Sequence, residues 1–262
     1  MKLNNHLHVK PHFFDCLHQL HDPKAKQYIE WSVTLAKDKF EFRHKPTLYM
    51  YPTEDLAGYK NLNHLLYELD CPEHLIRIQK NSFATAMYQG IRIPRLDSDE
   101  KCLYIHHDKC SHIDCYRWKN HLDYDKCNYF YHQNLDLNAT ISMVHSDLNP
   151  FLEQLTKAEQ FDEYYGVWLQ KGKNGISEIY YSFPNRSSFS WVAKTLENLL
   201  NQDVYEKSLA FGNIKFKNIG FDSASKSSFP AITVYYTFPI SKKIPSNDKE
   251  LIGDCFNFFE NN

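Results

Sequence analysis

The sequence predicts an α+β fold in which about ten antiparallel strands, arranged as hairpins separated by helices, close into a single barrel with the helices outside. Three observations carry this expectation. Strands in which apolar residues alternate with tyrosines, hydroxyls and cations recur along the chain. Segments with the apolar spacing of helices fall between those strand pairs. Helices packed outside a sheet need an apolar outer face, so the tyrosine-rich, cationic face must look inward.

The elements follow in order. His8 to Leu20 carries Val9, Phe13, Leu17 and Leu20 at helical spacing, and Asp22-Pro23 ends it. Glu30 to Leu35 alternates, with Trp31, Val33 and Leu35 opposite Glu30, Ser32 and Thr34. Lys37-Asp-Lys39 turns the chain into Phe40–Arg43 and then Thr47–Tyr51. Helices are expected from Thr53 through Leu69 and over Pro72–Gln79. A hairpin joins Ala84–Ile93 to Cys102–His107 across Leu96-Asp-Ser-Asp-Glu100. Residues 108–127 carry the weakest pattern, and Lys126–His132 reads as a strand. Ser146–Phe161 returns to helix, Tyr164–Gln170 pairs with Ile176–Phe183 across a turn containing Asn174-Gly175, and Ser188–Gln202 is amphipathic. A last hairpin spans Ile214–Phe238, and Asp248–Phe259 is a closing helix. All of residues 1–262 are thus assigned to one barrel domain.

Composition narrows the chemistry. A formal net charge of −2 gives no overall attraction to nucleic acid, so any cationic patch must be local. Only 8 glycines are present and neither G-x-G-x-x-G nor G-x-x-x-x-G-K-[ST] occurs, so a bound phosphate must be held by side chains. The N-terminal stretch lacks a signal-peptide core and no run is apolar enough to span a membrane, which predicts a cytoplasmic protein that binds neither membrane nor nucleic acid. Seven cysteines, an odd number without regular spacing, fit reduced thiols.

The alternation assigns an inward set. From the first half of the chain it comprises Glu30, Ser32, Thr34, Arg43, Tyr49, Tyr51, Tyr88, Arg92, Tyr104 and His106. From the second half it comprises Trp168, Glu178, Tyr180, Lys215, Lys217, Thr233 and Tyr235. Arg and Lys hold a diphosphate through charge-assisted hydrogen bonds. Aromatic walls stabilise the allylic cation left when diphosphate departs, and keep it from water. The combination points to prenyl transfer.

Repeated α-β-β-α units around such a lumen resemble the ABBA-type prenyltransferases. The strings Ile29-Glu-Trp-Ser-Val33, Gly90-Ile-Arg-Ile93 with Leu103-Tyr-Ile-His106, and Ile219-Gly-Phe-Asp222 with Val234-Tyr-Tyr236 are most similar to the peptide prenyltransferases of cyanobactin biosynthesis. The resemblance implies transfer of a C5 group from dimethylallyl diphosphate to a side chain of a linear or cyclic ribosomal peptide. It implies that Arg43, Arg92, His106, Lys215 and Lys217 hold the diphosphate, and that Tyr49, Tyr104, Tyr180 and Tyr235, with Trp168, screen the cation. A family glutamate on the first strand takes the acceptor's proton, a role that falls to Glu30 here, with Glu178 next. Mg2+ is expected to accompany the diphosphate without an Asp cluster of its own.

A rival expectation arises from Cys102, His106, His107, Cys110, His112, Cys115, His121 and Cys127. These are zinc-ligand types, although only Cys110 and Cys115 approach the paired spacing of a structural site. Gathered around one zinc ion, they would make an interaction or nucleic-acid module.

Overall fold

The computed structural model describes residues 15, 18–20, 27–50, 56–92, 99–107, 112–133, 135–184, 187–225 and 229–240, with 27, 42–46, 48–50, 56–60 and 238–240 described by their backbone. Strands β1 (Gln27–Ala36) and β2 (Lys39–Met50) are followed by helices α1 (Leu56–Glu68) and α2 (Glu73–Asn81). Then come β3 (Ala86–Arg92), β4 (Lys101–His107), β5 (His112–Trp118) and β6 (Tyr124–His132). Helices α3 (Leu137–Ile141) and α4 (Asn149–Leu155) precede the hairpin of β7 (Gly166–Gly172) and β8 (Gly175–Ser182). Helices α5 (Phe189–Thr195) and α6 (Gln202–Ala210) lead to β9 (Asn218–Asp222) and β10 (Ile232–Ile240).

The ten strands form a closed antiparallel barrel in sequence order. Closure is made by β1, whose Val33 pairs with Phe42 of β2 on one side and Val234 of β10 on the other. Among the ten described strands no edge is left to pair with another chain.

Alternation divides the side chains into two cores. Ile29, Trp31, Val33, Leu103, Ile105, Ile179, Tyr181 and Val234 belong to one cluster with Leu65, Leu66, Leu75, Leu152 and Val192 from the helices, so this face is the outer one. Cys102, Tyr104, Cys115 and Cys127 form a separate cluster with Ile113 and Tyr129, inside the barrel. Each fully buried large aliphatic or aromatic side chain of the outer layer contributes about 1.5–3 kcal/mol, so the helices are bound by the same residues that orient the strands. Polar contacts fix the helices in place: the Trp118 indole donates to the Leu69 carbonyl at 3.1 Å, and the hydroxyls of Thr140 and Tyr181 lie 2.5 Å apart. Asp70 closes α1 in the left-handed region (φ 55°), where the Cys71 amide donates back to Leu66.

The structure departs from the sequence reading in several places. The stretch 108–127 contains a full barrel strand, β5, and among the described residues no helix falls between β4 and β5. The helix expected over Ser146–Phe161 is broken into a 3-10 turn at Ser146–Leu148, α4 and a second 3-10 turn at Glu159–Glu163, and Ser188–Gln202 is likewise divided before a further helix, α6. The final hairpin begins at Asn218, because Ile214–Phe216 pairs elsewhere: Phe216 donates to the Ser187 carbonyl and Lys215 bridges Ser188, whereas the Lys217 N–H still reaches the Tyr235 carbonyl of β10. Gly175 closes the β7–β8 hairpin with φ 101°, a conformation that favours glycine. The expected helix Asp248–Phe259 and most of His8–Leu20 lie outside the described residues, as do Tyr51 and Cys110. No helix among the described residues is long and apolar enough to cross a membrane.

Candidate active site in the barrel lumen

Four tyrosines from alternate strands line the lumen. Tyr104 (β4), Tyr129 (β6), Tyr180 (β8) and Tyr235 (β10) follow one another with ring centroids 6.4, 5.7 and 5.4 Å apart. Every ring is tilted against its neighbour, with 50°, 47° and 56° between successive planes.

Glu178 of β8 sits in this belt. Its Oε2 accepts from the Tyr180 hydroxyl at 2.7 Å and its Oε1 from the Tyr235 hydroxyl at 3.0 Å. The Tyr180 hydroxyl also lies 3.0 Å from Gln170 Oε1, but the carboxylate is the stronger acceptor. Gly220 of β9 makes room for the group: a Cβ there would lie 2.6 Å from Glu178 Oε1 and 3.0 Å from the Tyr180 ring. Burial, then the Glu178 charge, pushes the phenols of Tyr180 and Tyr235 well above their usual value, so both stay protonated as donors. Burial acts first on Tyr129 and Tyr104 in the same direction. Glu30 of β1 is half-buried, and its charge adds to the shift of Tyr235 after burial and Glu178. The two carboxylates therefore approach Tyr235 from neighbouring walls.

The cations come from β3, from β5 and from the segment that leads into β9. Arg92 of β3 is largely buried, ion-paired with Glu100 and 3.4 Å from the Tyr104 hydroxyl. Arg117 of β5 pairs with Asp125 of β6 at 3.2 Å. His106 of β4 stacks on Tyr88 at 3.6 Å, and burial, then the nearby Lys217 ammonium, drives its pKa well below the usual value. It is held as a neutral imidazole, which can still meet an anion as an N–H donor. Lys217 itself is half-buried, and among the described residues it has no ion-pair partner.

The remaining expected residues divide. Trp168 of β7 packs on Tyr131 at 5.2 Å and pairs across the strands with Tyr180. Lys215 stands beyond the end of β9, on the bridge to Ser188, rather than in a barrel strand. The backbones of Arg43 and Tyr49 pair with Ser32 and Gly90, and their side chains lie outside the described residues.

Sequence reasoning missed Tyr129, Arg117 and a line of thiols. Cys115 faces Cys127 across β5 and β6, and its single S–H is shared between the sulfurs of Cys102 and Cys127. The Cys115 bond, against burial and with help from Gln170, lowers the Cys127 thiol to about 6. The signal was present: Asp125, Cys127, Tyr129 and Tyr131 alternate with Lys126, Asn128 and Phe130. The same alternation dismantles the single zinc cluster. Cys102, His106, Cys115 and Cys127 lie on the inner face, whereas His107 and His112 stack on each other outside and His121 binds Asp70 in a turn.

No family model matches the chain, and no curated protein matches it. A crystal structure of prenyltransferase PriB in ternary complex with L-tryptophan and dimethylallyl thiolodiphosphate aligns over 85% of this chain and 83% of that one, with 8% identity and a TM-score of 0.49. The barrel assignment rests on the strand pairing of this chain itself.

Proposed function

We propose that the protein is a prenyltransferase of the ABBA type that transfers a dimethylallyl group from its diphosphate to a side chain of a ribosomally made peptide. The observation that carries this reading is the belt of four neutral tyrosines around Glu178 inside a closed barrel. A belt of aromatic rings suits an allylic cation, and a carboxylate among them suits removal of a proton.

The steps balance as follows. The C1–O bond of the donor breaks, and the electron pair leaves with the diphosphate, whose charge is met by Lys217 and Arg92. The allylic cation is held over the faces of Tyr104, Tyr129, Tyr180 and Tyr235, with Trp168 beside them. The acceptor atom bonds to the prenyl carbon and its proton passes to Glu178, with Glu30 as the second carboxylate. A cationic acceptor such as guanidinium fits the same pair of acids through paired hydrogen bonds. Among the described residues no lumen group of three His, Cys, Asp or Glu ligand atoms comes close enough to share a metal. Mg2+ therefore enters this reading only as a counter-ion carried by the diphosphate, with no residue assigned to it.

The test is incubation with dimethylallyl diphosphate and a panel of linear and cyclic peptides containing Arg, Tyr, Trp or Ser, read by mass. A gain of one C5H8 unit on a peptide is expected. Donor binding without transfer to any peptide would leave a barrel that only binds a hydrophobic anion, and no donor binding would overturn the reading.

A further inference from the structure

The outer face of the barrel carries a second group of ligand-type side chains that the lumen chemistry does not use. His107 ends β4, and His112 and Asp114 stand on β5, where the alternation directs all three outward. One ligand atom from each of the three residues lies within 4.8 Å of the others. The two imidazoles stack at 4.4 Å with 21° between their planes, and His107 Nε2 lies 3.1 Å from Asp114 Oδ2. Ligands of one tetrahedral ion at about 2.0–2.1 Å stand about 3.3 Å apart, so the donors need only small side-chain shifts to share an ion.

The geometry points to a divalent metal site formed by His107, His112 and Asp114, of the class that takes Zn2+, with a fourth position open to water. Two imidazoles and one carboxylate match the borderline character of Zn2+ better than the all-oxygen sets preferred by Mg2+ or Ca2+. The carboxylate is already oriented for the task. Tyr116 donates to Asp114 Oδ2 at 3.2 Å and Lys126 lies 2.9 Å from Oδ1, so one oxygen keeps its outer partner while the other meets the ion. Burial raises the Asp114 carboxyl, but its bonds to Lys126 and His107 more than offset this and hold it below its usual value, so the ligand is an anion. His107 is partly buried at 24% exposure and Asp114 at 12%, which gives the ion shelter without sealing it off. Binding requires both imidazoles to be neutral, with His107 carrying its proton on Nδ1. The bound ion would clip β4 to β5 on the outside, where among the described residues no helix falls between the two strands.

The site is independent of the lumen, so its failure leaves the proposed function untouched. Protein stripped with chelator and titrated with Zn2+ by calorimetry should bind one ion, and Co2+ should give the visible bands of a tetrahedral nitrogen–oxygen site. His112→Ala, on a partly exposed side chain, and the shape-preserving Asp114→Asn should each weaken binding at least about tenfold. Zn2+ should raise the melting temperature of the wild type and not of His112→Ala. The thiols of Cys102, Cys115 and Cys127 are the competing ligands, and a thiolate-to-Co2+ charge-transfer band would assign the ion to them and overturn the proposal. Absence of one-to-one binding, or binding unchanged in both variants, would overturn it equally.

Discussion

Replacing Gly220 by alanine tests the centre of the lumen with one methyl group. Gly220 lies opposite Tyr180 on β8 and Thr233 on β10. The new Cβ would stand 2.6 Å from Glu178 Oε1 and 3.0 Å from Tyr180 Cδ1, so the carboxylate must move. Oε1 is the oxygen that accepts from Tyr235, and that bond is the first to be lost. A hydrogen bond to a charged group contributes about 1.5–3 kcal/mol, and overpacking costs about 1–3 kcal/mol. Glu178 can swing its flexible end aside, so the expected net loss is about 2 kcal/mol, or a fall of about 4–8 °C in Tm for a chain of this size. The assay is urea unfolding of the wild type, Gly220→Ala, Glu178→Ala and the double variant. With the carboxylate removed, the closest clash is gone and the Tyr180 ring at 3.0 Å remains, so Gly220→Ala should cost at least about 1 kcal/mol less in that background. Equal costs in both backgrounds would refute the close approach. If Glu178 takes the acceptor's proton, Gly220→Ala also slows transfer about 10²-fold. Affinity for dimethylallyl diphosphate should be unchanged in the same variant, because the added methyl meets Glu178 and Tyr180 rather than Lys217 or Arg92.

Four other outcomes are expected. Lys217→Ala should weaken dimethylallyl diphosphate binding at least about tenfold, from the loss of one charge-assisted contact, and should raise the His106 pKa only in part because burial is the larger cause; calorimetry and NMR titration read the two effects. The unfolded His106 binds a proton below about pH 6.5 while the buried one does not, so stability falls as pH drops from there toward the depressed native value, and His106→Gln should flatten that limb of the unfolding profile. The Cys127 thiolate should appear in the ultraviolet absorbance with a midpoint of about 6 and vanish in Cys127→Ser; thiol ionisation confined to alkaline pH would contradict the hydrogen bond from Cys115. Tyr129→Ala should reduce turnover more than donor affinity, because the cation it faces exists mainly near the transition state, and Tyr129→Phe, which keeps the ring face, should be milder.

Period-two alternation is a local property, and the sequence carried it wherever apolar and polar residues alternated cleanly. Trp31, Val33 and Leu35 on one side with Glu30, Ser32 and Thr34 on the other assigned β1 to its faces without any tertiary information. The Asn174-Gly175 turn and the lumen positions of Tyr104, Tyr180 and Tyr235 were legible for the same reason. In β5 the pattern is masked, because His112 and Asp114 on the outer face are as polar as Arg117 on the inner one, and the strand shows itself only through its pairing with Cys102–His106 and Tyr124–Phe130. Helix breaks at residues 146–163 and 196–202 were hidden because apolar spacing continues across them.

What the sequence could not give is which inward residues meet. That depends on register and closure, which bring Glu178 of β8 to Tyr235 of β10 across the glycine of β9, and Lys217 toward His106 from a distant part of the chain. Spacing in sequence likewise joined cysteines and histidines that the sheet separates by its own thickness. Alternation decided the face of each residue; only the three-dimensional pairing of strands decided its neighbours, because alternation fixes register only to within steps of two residues and the turns and barrel closure select among them.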